Sequence, residues 1–337
     1  MHGELDVARS SAAPARGAAT TTRRQRRVLV TLGAAAVVAV VAFLLVDISG
    51  DWGFALALRG RKVAAMVLVA VAIAVSTVLF QTVTHNRILT PSIMGFDSLY
   101  VLLQSVGVYF LGAVALANAP PELRFAVEAT MMVAFAVVLH RWLFGRHGRD
   151  LYVLVLAGIV FGTLFSSGTN LVSRLIDPNE YQTLQDRMFA SFGSVDTRLL
   201  AFSAVVVGVA VAVAWASRRE LDVVALGRHP ATTLGIEHRR VVNRQLVLVA
   251  VLVAVSTALV GPITFFGLLV ANLARQLLGT FRHHLALPAA ALLGIVALVV
   301  GQLVLERVLG YTTALSIVVD LIGGTYFLAL LLKEARR

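Results

Sequence analysis

The sequence predicts an all-α polytopic membrane protein with about ten transmembrane helices, and three observations predict it. Of the 337 residues, 58% are hydrophobic and 14% charged, a balance outside that of soluble domains. The apolar residues gather into runs near the ~20 residues that carry a helix across a hydrocarbon core. The connections between runs are short, which leaves little chain for a separate soluble domain.

Residues 1–26 are rich in Ala, Thr, Ser and Arg and read as a disordered basic tail, with the membrane domain occupying 27–337. Val28 to Val46 is long enough to span and ends at Asp47 without a small-residue cleavage pattern, so it reads as a retained first span. The second runs from Val63 to Val83 and the third from Ile93 to Leu111. Between them the stretch 80–100, FQTVTHNRILTPSIMGFDSLY, interrupts a simple return. Pro91 disfavours helix at Thr90, so the chain kinks or re-enters here. Such backbone at membrane depth is buried in protein or lines a wet cavity. Asp97, Tyr100 and Gln104 share one face of the third span, too polar for lipid, and either pack inward or line a pathway.

Phe125 to Trp142 and Leu151 to Val172 are the fourth and fifth spans. On the fifth, Gly158, Gly162, Ser166 and Asn170 recur at four-residue intervals. The glycines read as a close-packing face, and Ser166 and Asn170 as candidates for the translocation pathway. The connection 174–196 is long enough for a short helix over a pore mouth. Leu199–Ala216, Val242–Val260, Phe265–Leu278, Leu285–Leu305 and Leu315–Leu332 complete the spans. The lead-in to the eighth, GPITFFGLLVANLARQLLG at 261–279, marks an interrupted, close-packed helix. On the tenth, Ser316, Asp320 and Gly324 form a stripe, and Asp320 has to face the bundle or a cavity because a lipid-exposed carboxylate costs several kcal/mol.

The most polar interval, Ser217 to Arg240 (217–240), is basic through Arg218, Arg219, Arg228, Arg239 and Arg240. It also carries apolar anchors that a solvated loop does not need. It reads as two short helices, Gly227 ending the first and Pro230 in the first turn of the second. One reading is a cap on the bundle; the other is a docking surface for a soluble partner that moves the membrane part.

Several chemistries find no footing. There is no cysteine, hence no disulfide or thiolate chemistry. No catalytic constellation and no metal-ligand spacing occurs, and the adjacent His283 and His284 read as charge-modulating loop residues. No G-x-x-x-x-G-K-[ST] loop exists, so ATP hydrolysis, if it drives the protein, comes from another chain. The net charge of +11 tracks the span ends instead of an aromatic-basic nucleic-acid platform. The terminal tails, the 141–149, 217–240 and 275–282 segments, Arg87 and Arg244 hold 21 of the 29 Lys and Arg, against 8 on the other face. By the positive-inside rule that face, with both termini, is cytoplasmic. Arg59, Arg61 and Lys62 cluster on the opposite face against this trend.

The chain resembles the iron–siderophore and vitamin B12 ABC importer permeases. The resemblance lies in Leu58-Arg59 through Lys62, Asn86-Arg87-Ile88-Leu89-Thr90-Pro91 with Ile93-Met94-Gly95, and Ala225-Leu226-Gly227 with Leu234-Gly235-Ile236. It continues through Gly261-Pro262-Ile263, Phe266-Gly267-Leu268, Ala274-Arg275, Leu287-Pro288, Leu292-Leu293-Gly294 and Leu321-Ile322-Gly323, covering residues 28–333 in order. It departs where many members have Pro-His, here Ala271-Asn272, and where Leu-Pro-x-Gly is replaced by Ala314-Leu315-Ser316; these departures are similar to the branch importing catechol-type ferric siderophores.

The resemblance implies a type II ABC importer permease-like fold and a non-enzymatic transport subunit in a bacterial cytoplasmic membrane. Its implied partners are a second permease subunit, a different chain or a second copy, two cytoplasmic ATPase subunits that use ATP and Mg, and an extracytoplasmic siderophore-binding protein. This chain itself is expected to bind no cofactor and no metal. The ATPase-coupling residues it implies are Leu221, Val224, Leu226, Gly227, Pro230, Leu234, Gly235 and Ile236. Arg59 and Lys62, with Arg307 as a further candidate, are implied to dock the binding protein; Asp97, Ser166, Asn170 and Asp320 are the pathway candidates. Two other readings compete: an ion- or proton-coupled secondary transporter with Asp97 or Asp320 as the coupling carboxylate, and a non-transporting scaffold. The 217–240 loop disfavours the first and the intramembrane polar stripes the second.

Overall fold

The computed structural model describes residues 13–46, 51–144, 151–193, 195–308, 310 and 314–335. Among the described residues every regular element is helical. Seven helices are long and apolar enough to cross a membrane: α1 (Ala13–Leu45), α2 (Trp52–Val83), α5 (Pro121–Phe144), α6 (Leu151–Ser173), α8 (Thr197–Ala216), α11 (His238–Val260) and α13 (His283–Arg307). Two shorter apolar helices, α3 (Phe96–Leu111) and α12 (Phe266–Leu278), together with the apolar α14 (Leu315–Ala335), bring the set to the ten expected. The remaining four are surface elements: α4 (Ala113–Asn118), α7 (Pro178–Arg187), α9 (Arg218–Val224) and α10 (Arg228–Thr233). The first helix starts at Ala13, so residues 13–26 of the expected tail continue it, and residues 1–12 lie outside the described residues.

The helices begin where side chains replace missing backbone partners. Asp51, Asp177 and Asp196 accept hydrogen bonds from the N–H groups of Gly53, Asn179 and Arg198, capping α2, α7 and α8. Helix α2 starts at Trp52 instead of Val63, since the apolar run Phe54–Leu58 continues it; Arg59 and Lys62 therefore sit within its first turns.

Helix α2 is the bundle's axis, packed against α8, α11, α12 and α13, with Met66, Val69, Leu79 and Phe80 fully buried. Around it α1 lies on α13, α5 on α11 and α6 on α3. Large apolar side chains left exposed, among them Val37, Val138, Val160 and Val205, line the outer helices; in water they form an unfavourable surface and in lipid an ordinary one.

The two expected interruptions are present. After α2 the chain turns at Thr84–His85, is extended at Thr90, makes a 3-10 turn at Pro91–Met94, and enters α3 through Gly95 at φ +86°. A Cβ on Gly95 would lie 3.0 Å from the backbone of Gly162, and one on Gly158 would lie 2.7 Å from Met94 Cα. The small-residue face of α6 thus exists to admit this turn. The second break, residues 261–265, separates α11 from α12.

Candidate functional site

On the face bearing α9 and α10, the chain builds a two-helix loop with distinct sides. Leu221 and Val224 are three residues apart on α9 and both 0% exposed, while Leu226 and Leu234, flanking α10, are each 63% exposed. Gly227 does not end α9, which stops at Val224; it is the N-cap of α10, at φ +105°, and Pro230 lies in that helix's first turn as expected. Ile236 packs against the core and Gly235 takes φ +80° at the exit. The loop therefore seats Leu221, Val224 and Ala231 on the bundle and presents Leu226 and Leu234 outward, beside the exposed Pro230 and Gly235.

Polar contacts fasten that seat. Asp222 Oδ1 accepts from the His283 backbone N–H at 2.8 Å and pairs with His283 Nδ1 at 2.6 Å. The other ring nitrogen lies 2.8 Å from Thr82 Oγ1 on α2. His283 is thus a buried bridge from α9 to α2, correcting its reading as a loop residue, while His284 is exposed. The His85 ring meets the Val224 carbonyl at 2.9 Å, Gln245 donates to Ser217 Oγ at 2.9 Å, and Arg244 pairs with Glu220.

Within the bundle the structure brings two pathway candidates together. Asp320 Oδ1 accepts from the Phe265 N–H at 3.1 Å, so a carboxylate from α14 caps the start of α12, whose own N-cap side chain makes no such bond. Asp97 of α3 lies beside Ser92 and Thr264, on the same break that Asp320 caps. Its Oδ2 has no hydrogen-bond partner. It lines a cavity of about 10 Å³ shared with Thr77, Thr90 and Thr257, room for about one water. Two carboxylates from distant spans therefore clamp the 261–265 break.

The other candidates lie elsewhere. Ser166 Oγ donates to Ser98 Oγ at 3.1 Å and Asn170 is exposed on α6, which places both away from the clamp. Gln104 donates to Glu128 at 2.6 Å, a buried α5 carboxylate that sequence reasoning missed although it stands inside an apolar run.

On the opposite face the basic residues are engaged within the chain. Arg59 Nη1 donates to the carbonyls of Leu44 at 3.2 Å and Val46 at 2.7 Å, closing the C-terminal end of α1, and Arg307 also donates to Val46, at 3.0 Å. Lys62 pairs with Glu306 at 3.0 Å, with side chains only 14% and 9% exposed. Arg61 and Arg307 remain exposed at this rim. Among the described residues no cluster of His, Cys, Asp or Glu is arranged to hold a metal.

The model of the FecCD transport family matches residues 28–333. The chain is 46% identical over 292 residues to the petrobactin import system permease protein YclO of Bacillus subtilis (strain 168), spanning 87% of this chain and 92% of that protein. It is 34% identical over 272 residues to the petrobactin import system permease protein FatC of Bacillus anthracis, spanning 81% and 77%. A solved metal-chelate type ABC transporter in an inward-facing conformation has the same fold, with a TM-score of 0.78 at 21% identity over 92% of this chain and 99% of that one.

Proposed function

We propose that this chain, which belongs to the FecCD transport family, is the permease subunit of an ATP-binding cassette importer that carries a ferric siderophore of the petrobactin type across a bacterial cytoplasmic membrane. The observation that carries the reading is the 46% identity extending over 92% of the petrobactin permease's length. In this reading both termini are cytoplasmic, in line with the distribution of basic residues. ATP and Mg are used by two copies of a separate ATPase, and a second, different permease chain completes the pore.

Motion enters through the α9–α10 loop. Leu226 and Leu234 present apolar surface to the ATPase. The buried Leu221 and Val224, with the Asp222–His283–Thr82 bridge, tie any displacement of the loop to α2 and α13. The pathway runs past Asp97, Ser166, Asn170 and Asp320, where the clamped 261–265 break supplies backbone that rearranges without losing a continuous helix. Arg61 and Arg307, with Arg59 behind them, make the opposite rim basic and steer an extracytoplasmic siderophore-binding protein whose docking lobes are acidic, while Lys62 holds Glu306.

A panel of iron-labelled chelates in a deletion strain tests the substrate class. Uptake of ferric petrobactin falls to background on deletion and returns with this chain, while vitamin B12 and ferric hydroxamate uptake stay unchanged. Loss of B12 uptake with ferric petrobactin unaffected overturns the assignment.

A further inference from the structure

On the face of the α9–α10 loop, α2, α9, α12 and α13 border an open cavity of about 490 Å³, within the roughly 300–1,000 Å³ range of small-ligand sites. Arg87, Arg275 and Arg282 all line it. Its one acidic lining residue, Asp222, is already held by the backbone N–H and ring of His283. Among the described residues none of the three arginines is ion-paired with a carboxylate.

The positive-inside bias accounts for basic residues near a membrane face but not for three arginines lining one open cavity, where like charges repel. Arg275 adds a second observation: its buried Nη2 has no hydrogen-bond partner, although a buried donor left unpaired is costly. Arg87 is held in place, with its guanidinium 4.5 Å above the Phe281 ring. Phe281 itself is exposed. Arg87 and Arg275, each held by a contact within the chain and neither paired with a carboxylate, together with Arg282 match the oxygens of a phosphate group.

We propose that this cavity is a phosphate-group site occupied by the headgroup of an anionic phospholipid. Basic pockets between spans on the cytoplasmic side are suited to such headgroups. That this face is cytoplasmic rests on the proposed orientation, whereas binding in detergent does not depend on it, so the two fail separately. Because Asp222 and Leu226 also line the cavity, a headgroup there braces the base of the coupling loop.

The test is native mass spectrometry of the full chain in detergent, titrated with phosphatidylglycerol or phosphatidylcholine, for the wild type and for Arg87→Gln, Arg282→Gln and Arg275→Gln. The wild type retains phosphatidylglycerol preferentially, and each single replacement lowers that affinity about fivefold. Arg87 and Arg282 are exposed, so their variants remain informative if Arg275→Gln fails to fold. Equal retention of the two lipids, or phosphatidylglycerol affinity unchanged in both Arg87→Gln and Arg282→Gln, overturns the site. Inorganic phosphate that raises the unfolding temperature as far as phosphatidylglycerol does, with the same sensitivity to Arg282→Gln, overturns the lipid assignment in favour of free phosphate. Replacements that weaken ATPase docking without changing either ligand's binding overturn the proposal and give the arginines to the protein partner.

Discussion

Replacing Leu226 and Leu234 with Ala separates the coupling role proposed for the α9–α10 loop from its structural role. Full burial of a leucine contributes about 1.5–3 kcal/mol. Each of these two is 63% exposed in the isolated chain, so about 1–2 kcal/mol per residue remains to be gained when an ATPase covers it. Each single variant therefore weakens ATPase docking about 5- to 30-fold, and the double variant by more than either. The permease alone loses little stability, because these side chains contribute little buried surface to it. Leu221 is the control: it is 0% exposed, and Leu221→Ala opens a cavity that costs about 2–5 kcal/mol of folding stability. Fluorescence titration of purified ATPase against detergent-solubilised permease, beside thermal unfolding of the permease alone, reads both effects. Wild-type ATPase affinity in the Leu226→Ala/Leu234→Ala variant refutes the argument, as does a fall in its unfolding temperature as large as that of Leu221→Ala.

Asp320→Asn keeps an acceptor oxygen for the Phe265 N–H and leaves uptake within about threefold of wild type, whereas Asp320→Ala leaves that N–H unpaired and costs about 1–3 kcal/mol of stability; collapsed uptake in Asp320→Asn contradicts this. A double-mutant cycle of Asp222→Ala with His283→Ala, followed by thermal unfolding, returns a coupling energy of about 1–3 kcal/mol, and additivity shows that the bridge is not formed. Gly158→Ala forces Met94 to move, since the new Cβ lies 2.7 Å from its Cα, and destabilises by about 1–3 kcal/mol; Gly208→Ala, with nothing within 4 Å, does not lower the unfolding temperature. On the opposite rim, Arg61→Glu with Arg307→Glu slows association of the binding protein and flattens its salt dependence, while Lys62→Glu acts on stability because it faces Glu306; an unchanged association rate across a salt series in the first variant removes the steering role.

The spans were legible because lipid imposes a length and an apolar composition that survive in a one-dimensional string; α3 and α12 fell short of the full length because breaks, at Pro91 and Gly261, consume part of the crossing. The breaks themselves were legible from proline and glycine chemistry. Pairings were not. Asp222 meets His283 across 61 positions and Lys62 meets Glu306 across 244, and no local pattern encodes such contacts. The apolar residues of the coupling loop were visible as a group, yet only their three-residue spacing on α9 distinguishes Leu221 and Val224, turned inward, from Leu226 and Leu234, turned out. Asp97 and Asp320 were each legible as inward-facing by cost; that they clamp the same break follows only from how α3, α12 and α14 pack.

In the proposed function, ATP hydrolysis by a partner drives substrate movement through this chain. Purified permease, its second permease chain and the ATPase, reconstituted in proteoliposomes, should accumulate iron-labelled petrobactin only when the binding protein and ATP are both supplied, with no response to an imposed proton or sodium gradient. Accumulation driven by such a gradient without ATP, and abolished by Asp97→Asn or Asp320→Asn, would contradict the account and make those carboxylates the coupling groups of a secondary transporter.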